Sequence, residues 1–303
     1  MIEYRRMDTP LPAKDCYLVL CHNRPWQVNA LSSYLAAQGH DVVIHVDAAA
    51  PIADEIVTGE HVFLVKDRQM VKWGSFSMIA AEMACIREAM ATGKEYRYVH
   101  LISGQCLPAA GKENTEAILT AAYAAKEQMI GCSSEPITKG WGRKGSLYRI
   151  AVWYPQALVD RNNKWHRYFH KWMKLWRFTG IRRWSWKKYA PFYSGSQWWS
   201  LTGDCVRNLL RYVDEHPDFY NFFRHTFCSD EMFVQTIIKH LEPEPNITGQ
   251  NKRFMIWRRS MSPSDITESE WSQVWSSGCL FSRKFCLEPG ETERYLSALN
   301  SDF

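Results

Sequence analysis

The chain has 303 residues, 46% of them hydrophobic and 23% charged, with a formal net charge of +5. These values belong to a globular chain with a sizeable core. They exclude a disordered polymer and a mini-scaffold, and with no run of 18 apolar residues the sequence offers no spanning helix. The charge is unevenly placed: no Asp or Glu occurs from Asn162 to Gly203, nine Lys and Arg fall between Lys164 and Lys188, and the rest of the chain therefore carries −4.

The nine cysteines are odd in number and lack C-x-x-C pairs or zinc-site spacing, and the opening MIEYRRMDTP has no apolar signal core. A cytoplasmic protein with reduced thiols, most of them small core residues, is expected. After a polar leader over 1–15, the run CYLVLC (Cys16 to Cys21) reads as a buried strand ending in the loop His22, Asn23, Arg24, Pro25. Val28, Leu31 and Leu35 at helical spacing predict a helix over Gln27 to Gln38 that stops at Gly39. DVVIHV (Asp41 to Val46) and HVFLV (His61 to Val65) are further strands. This rhythm predicts a Rossmann-like, mostly parallel central sheet flanked by helices, with ligands at the carboxyl ends of its strands, where His22 and Asp47 fall.

Ser75 to Ala91 reads as a buried helix capped by Ser75 or Ser77, and YVHLIS (Tyr98 to Ser103) as a strand running into Gly104, Gln105, Cys106, Leu107 and Pro108, with another helix after it. Residues 129 to 155 carry no clear period. Tyr193 to Thr202 returns to a strand pattern, Cys205 to Asp214 and Asp230 to Leu241 read as helices, and Cys279 to Phe285 is a last apolar piece. No repeat or linker divides the chain. One domain over 16–303, interrupted by a basic aromatic insertion at about 162–190, is expected.

In that insertion Trp165, Phe169, Trp172 and Trp176 are spaced 4, 3 and 4, and Lys164, Arg167, Lys171 and Lys174 share a neighbouring helical face. Three readings fit: a helix packing its aromatics on the core with solvated lysines, a helix lying on an anionic membrane, and a polyanion-binding helix. No nucleic-acid module accompanies it, so nucleic acid is not an expected partner.

No P-loop, G-x-G-x-x-G, G-x-S-x-G or H-E-x-x-H motif is present, which removes the commonest nucleotide-binding, hydrolase and zinc-protease chemistries. What remains are polar residues at strand ends. YLVLCHN at the first strand, IHVD at 44–47, VKWGSFSMIAAEMACI from 71, YVHLISGQCLP at 98–108, SGSQWWSLT at 194–202, CSDEMFVQTII at 228–238, KRFMIW at 252–257 and LFSRKF at 280–285 occur in this order. Together they resemble the core-2 and I-branching β-1,6-N-acetylglucosaminyltransferases of glycosyltransferase family 14, which include peptide O-xylosyltransferases and bacterial members.

The resemblance implies a GT-A-like α/β fold and inverting transfer from a UDP-sugar, N-acetylglucosamine first among the donors, to a hydroxyl of a glycan acceptor in bacterial surface polysaccharide synthesis. Inversion requires a carboxylate that takes the acceptor's proton. Glu231 in Ser229-Asp230-Glu231 matches the family's base, Asp230 is its rival on the acceptor side, and Ser229 is placed to cap the following helix. No two aspartates lie two positions apart, so the D-x-D metal motif is missing and no metal is required. The resemblance instead assigns the departing diphosphate to Lys284 and to a second cation, Arg258 or Arg259. It places Asp47, with the main chain of Leu20 to His22, against the nucleoside, and Trp73 to Ser75 over it. Ser103, Gly104, Ser196 and Trp257 are acceptor-side candidates, since hydroxyls and an aromatic face suit a sugar ring.

Cys106 stands where the family turn usually carries Asp. Xylosyl transfer, or a catalytically degenerate module that binds a glycan or an acidic surface, are therefore alternatives. The basic segment adds a lipid-linked acceptor and peripheral attachment to the inner face of the cell membrane as expectations.

Overall fold

A computed structural model describes residues 14–137, 147–159, 166–258 and 262–301. Strand β1 (Cys16–Cys21) leads through helix α1 (Pro25–Ala36) to β2 (Asp41–Val46) and β3 (Val62–Leu64), and helix α2 (Ser77–Ala91) returns the chain to β4 (Tyr98–Ser103). β1, β2 and β4 are buried along almost their whole length and mostly apolar because both faces are covered, the usual state of parallel strands joined by crossover helices. The short strand β5 (Cys106–Pro108), helix α3 (Lys112–Ala124), β6 (Glu127–Cys132), α4 (Leu147–Ala151), α5 (Gln156–Val159) and α6 (His166–Thr179) follow. Then come β7 (Gly195–Thr202), α7 (Gly203–Glu215), α8 (Pro217–Phe222), α9 (Phe233–His240), β8 (Asn246–Ile247), β9 (Arg253–Met255), α10 (Trp271–Trp275), β10 (Phe281–Arg283) and α11 (Glu291–Ser301).

Seven strands form one sheet in the order β3-β2-β1-β4-β7-β6-β8, and only β7 runs against the others. This is the mostly parallel α/β sheet expected of a GT-A-like fold. The chain winds outward from β1 to β3 and then comes back to place β4 on the other side of β1. The order reverses between β1 and β4, which opens a crevice at their carboxyl ends. β7 begins at that same edge because it is antiparallel. β5, β10 and β9 make a second small sheet directly after the β4 turn.

One face of the main sheet is packed by α2, α7 and α9 with Phe219, Phe223 and Phe233, the other by α1 and α11 with Leu31, Phe285 and Tyr295. Each such fully buried side chain contributes about 1.5–3 kcal/mol by leaving water. Among the described residues no helix is long and apolar enough to cross a membrane.

Two elements differ from the sequence expectation. The helix expected over Asp230 to Leu241 is broken: Ser229–Glu231 is a separate 3-10 turn, entered through left-handed Cys228 (φ 46) and left at Met232 (φ −139), and α9 starts only at Phe233. Ser229 therefore does not cap α9; its buried hydroxyl has no hydrogen-bond partner among the described residues. α2 begins at Ser77 without a side-chain cap: the Ser77 hydroxyl instead accepts from Lys72 N at 2.7 Å and pairs with the Ser75 hydroxyl at 2.7 Å.

Two carboxyls are enclosed where α2 passes under that turn. Glu82 accepts from Trp199 Nε1 at 2.8 Å while its second oxygen has no partner, and Asp230 Oδ1 has none either. Burial pushes Glu82 up to about 8, with nearby Asp230 adding to the rise, and pushes Asp230 up to about 7, with Glu231 adding to it. Both groups titrate higher in the folded chain than unfolded, so their stabilisation is complete below about pH 4 and is lost as pH rises through about 7 to 8. Urea unfolding is expected to show stability falling by on the order of a few kcal/mol between pH 5 and pH 9. Glu82→Gln, which keeps an acceptor for Trp199, should flatten part of that slope; an identical slope in the variant would refute the assignment.

Candidate active site

Four loops meet at the carboxyl edge of the sheet. The turn after β4 approaches β1 so closely that a Cβ on Gly104 would lie 2.9 Å from both Cys21 Cβ and Val28 Cγ2, so glycine is required there by the approach itself. Gly104 N donates to Leu20 O at 2.9 Å. The buried Gln27 amide donates to Gly104 O at 2.6 Å and accepts from Leu287 N at 3.1 Å, while Phe285 N donates to Gln105 O at 2.9 Å. These bonds bring Lys284 to the end of β1. Asp47 joins the same edge, its backbone N–H bonded to Cys21 O at 2.9 Å and its carboxylate accepting from Ala49 N at 2.9 Å. These bonds bring Leu20, Asp47, Ser103, Gly104 and Lys284 to one edge; His22 beside them is exposed.

The second half of the site is built around the 3-10 turn. Cys228 N donates to Gly74 O at 2.8 Å, and Trp73 meets Phe227 edge-on at 6.1 Å, so the Trp73 to Ser75 loop lies against the turn that carries Glu231. Arg149 from α4 is almost fully buried and fixes this turn from beneath. It donates to Phe227 O at 3.1 Å, to Cys228 O at 2.6 Å and to the Glu231 carboxylate at 2.8 Å. Burial opposes the Arg149 charge, but Cys228 and Glu231 beside it hold it above the ordinary arginine range. The two acids differ in kind: the Glu231 side chain is 46% exposed and ion-paired, whereas Asp230 is buried and shifted toward its neutral form. Only Glu231 has the access and charge to receive a proton from a bound molecule.

The remaining candidates are less central. The Ser196 hydroxyl accepts from Asn251 Nδ2 at 2.8 Å and from Trp198 N at 3.2 Å, so it braces the start of β7. Trp257 presents an open aromatic face, 56% exposed. Arg258 is ion-paired with Glu270 and donates to Asp265 O at 2.9 Å, so its guanidinium is held by its own loop. Arg259 lies outside the described residues.

Three cations absent from the sequence reading stand at the same edge. Arg24 caps α1 in a left-handed conformation (φ 52) with its Nε buried and without a protein partner, and both Arg24 and Lys284 act on the neighbouring Cys286 thiol. Arg283 lies in register with Cys106, its guanidinium 4.4 Å above the Trp198 ring and its Nε unpartnered. Among the described residues no carboxylate pairs with Arg283, and burial pushes its pKa down. Arg68, on the loop that bonds Ala48 N through Gln69 O, has a buried Nη1 without a partner. Guanidinium groups suit anions with many acceptor oxygens, so Arg24, Arg68 and Arg283, on segments that follow β1 and β3 or end β10, are further candidates to meet one. The signal was visible in sequence only as the unassigned Arg in His22-Asn23-Arg24 and the Arg beside Lys284.

Among the described residues no group of three or more His, Cys, Asp and Glu could hold a metal ion. None of the nine cysteines is in a disulfide.

No curated protein matches the chain. A family model described as Core-2/I-Branching enzyme matches residues 17–277, from β1 through α10. The crevice lies at the reversal of strand order, and the loops described above carry the half-exposed Glu231 carboxylate and the cations Arg24, Arg283 and Lys284. With that match over most of its length, the chain belongs to the Core-2/I-branching enzyme family of glycosyltransferases.

Proposed function

We propose that this glycosyltransferase transfers a sugar from UDP to a glycan hydroxyl with inversion and without a metal ion, N-acetylglucosamine being the first candidate donor. It would work in the cytoplasm on a growing surface polysaccharide. The observation that carries this reading is the asymmetry of the adjacent acids: Glu231 is open and ion-paired to Arg149, while Asp230 is buried and near neutral.

Glu231 takes the proton of the acceptor hydroxyl as its oxygen attacks the anomeric carbon, and the bond to the UDP oxygen breaks on the opposite face. Two phosphates carry the charge away. Lys284, with Arg24 and Arg283 in place of the loop-bound Arg258, meets that charge with donors that have no other carboxylate partner among the described residues. Asp47 and the main chain from Leu20 to His22 hold the nucleoside at the ends of β1 and β2. Trp257, exposed, offers its face to the acceptor sugar.

A second reading has one observation in its favour. Cys106, buried beside Ser103 with Sγ 3.3 Å from its hydroxyl, replaces the carboxylate of the family turn, as a module that binds sugars without transferring them would allow.

Calorimetry with UDP in EDTA separates the two readings from a metal-dependent enzyme. Micromolar binding that weakens about tenfold or more in Lys284→Ala and in Arg24→Ala is expected, since a charge-assisted hydrogen bond is worth about 1.5–3 kcal/mol. Binding only after a divalent ion is restored would overturn metal independence. In a donor screen with UDP-N-acetylglucosamine and UDP-xylose, Glu231→Gln should lower kcat by about 10²–10⁴ while leaving UDP affinity within twofold. Full activity in that variant would remove Glu231 as the base. Arg149→Met should lower kcat about tenfold or more by releasing the Glu231 carboxylate, with a smaller change in donor KM. Unchanged kinetics would show that the ion pair serves folding alone.

A further inference from the structure

The basic aromatic segment is organised differently from its sequence pattern. Trp176 turns inward, donating from Nε1 to Trp153 O at 3.0 Å, and Met173 is buried with Val152, Tyr154 and Val159. Trp172 points outward, and Trp165 and the Phe169 side chain lie outside the described residues. α6 thus has a second apolar face. Tyr168, Trp172, Leu175 and Phe178 are 46–69% exposed, and beyond the helix Ile181 and Trp184 are 61% and 71% exposed.

Six of the eleven large hydrophobic side chains exposed among the described residues fall within this one stretch. Scattered exposed apolar groups are ordinary, but a contiguous set of this kind marks an interaction surface. A groove of about 360 Å³ lined by Leu147, Ala151, Phe178, Trp184 and Trp186, with Arg182 and Arg183, continues it.

Charge selects the occupant. Lys171 and Lys187 are exposed within the patch, Lys187 sitting 5.0 Å above the Trp184 ring, and no carboxylate occurs in the sequence from Asn162 to Gly203. Aromatic residues interleaved with lysines suit the interface of an anionic bilayer, where rings sit at headgroup depth and ammonium groups meet lipid phosphates. The surface is also fixed to the catalytic side. Arg183 N donates to Ala151 O at 2.8 Å and Trp153 N to Ile181 O at 2.8 Å, which ties the segment to α4 and hence to Arg149 under Glu231.

We propose that the outward face of α6, continued through Ile181 and Trp184, docks the protein on an anionic membrane surface. It goes beyond the transfer reaction and does not depend on the donor. Flotation of the full chain with phosphatidylcholine vesicles, with and without 30% phosphatidylglycerol, tests it.

Wild type is expected to float with the anionic vesicles and to be released by 0.5 M salt, as screened surface charge requires. Lys171→Glu with Lys187→Glu should lower anionic partitioning about tenfold or more. Trp172→Ser with Trp184→Ser, which leaves the charge unchanged, should lower it at low salt. UDP affinity measured by calorimetry should be unchanged in both variants, which separates failure of docking from failure of the catalytic reading. Wild type that stays at the bottom of the gradient, or that floats equally with neutral vesicles, would overturn the proposal. So would a dimer in solution that Trp184→Ser dissociates, since the face would then belong to a second copy.

Discussion

The structure depends on one close approach, that of the turn after β4 to the end of β1. With no side chain at Gly104, the turn can lie directly on Cys21 and Val28, and the buried amide of Gln27 then bonds both this turn and the strand carrying Lys284 and Phe285. A buried amide with its hydrogen bonds made is worth far more than one left unsatisfied. The clamp therefore holds three chain segments, separated by up to 260 positions in sequence, in one place. It is also the point where strand order reverses, so this close approach lies at the candidate crevice.

Around that junction charge is divided by burial rather than by composition. Asp230 and Glu231 are neighbours in sequence, but the 3-10 turn sends one into the core beside Glu82 and the other to the surface beside Arg149. The cations are sorted in the same way. Arg258 is engaged by Glu270, and Arg253 donates to the carbonyls of Trp199 and Asn251, whereas neither Arg24 nor Arg283 pairs with a carboxylate among the described residues. Cys106 stands opposite Arg283 in register, and among the described residues no carboxylate pairs with that guanidinium.

Much of this was legible in the sequence. The largely apolar runs CYLVLC, DVVIHV and YVHLIS became adjacent parallel strands in register, because a strand covered on both faces favours apolar residues on both. Asp47, Ser103 and Gly104 fell at the crevice because strand ends are fixed once the strands are. The broken helix at Met232 was not legible. Its apolar spacing is helical, and the break is imposed by left-handed Cys228 bonding to Gly74 on a distant loop. The inward turn of Trp176 was hidden for the same kind of reason. Both faces of α6 are apolar, and only the position of Trp153 decides which one is covered.

By itself, then, the sequence determined the alternation of strands and helices and the family, and it singled out Glu231 and Lys284 as candidates, because these follow from local pattern and chain order. The tertiary structure decided which acid is buried, which arginines remain unsatisfied and which face of the basic helix meets solvent. Those properties depend on neighbours brought from elsewhere in the chain, and desolvation and ion pairing act only once the neighbours have arrived.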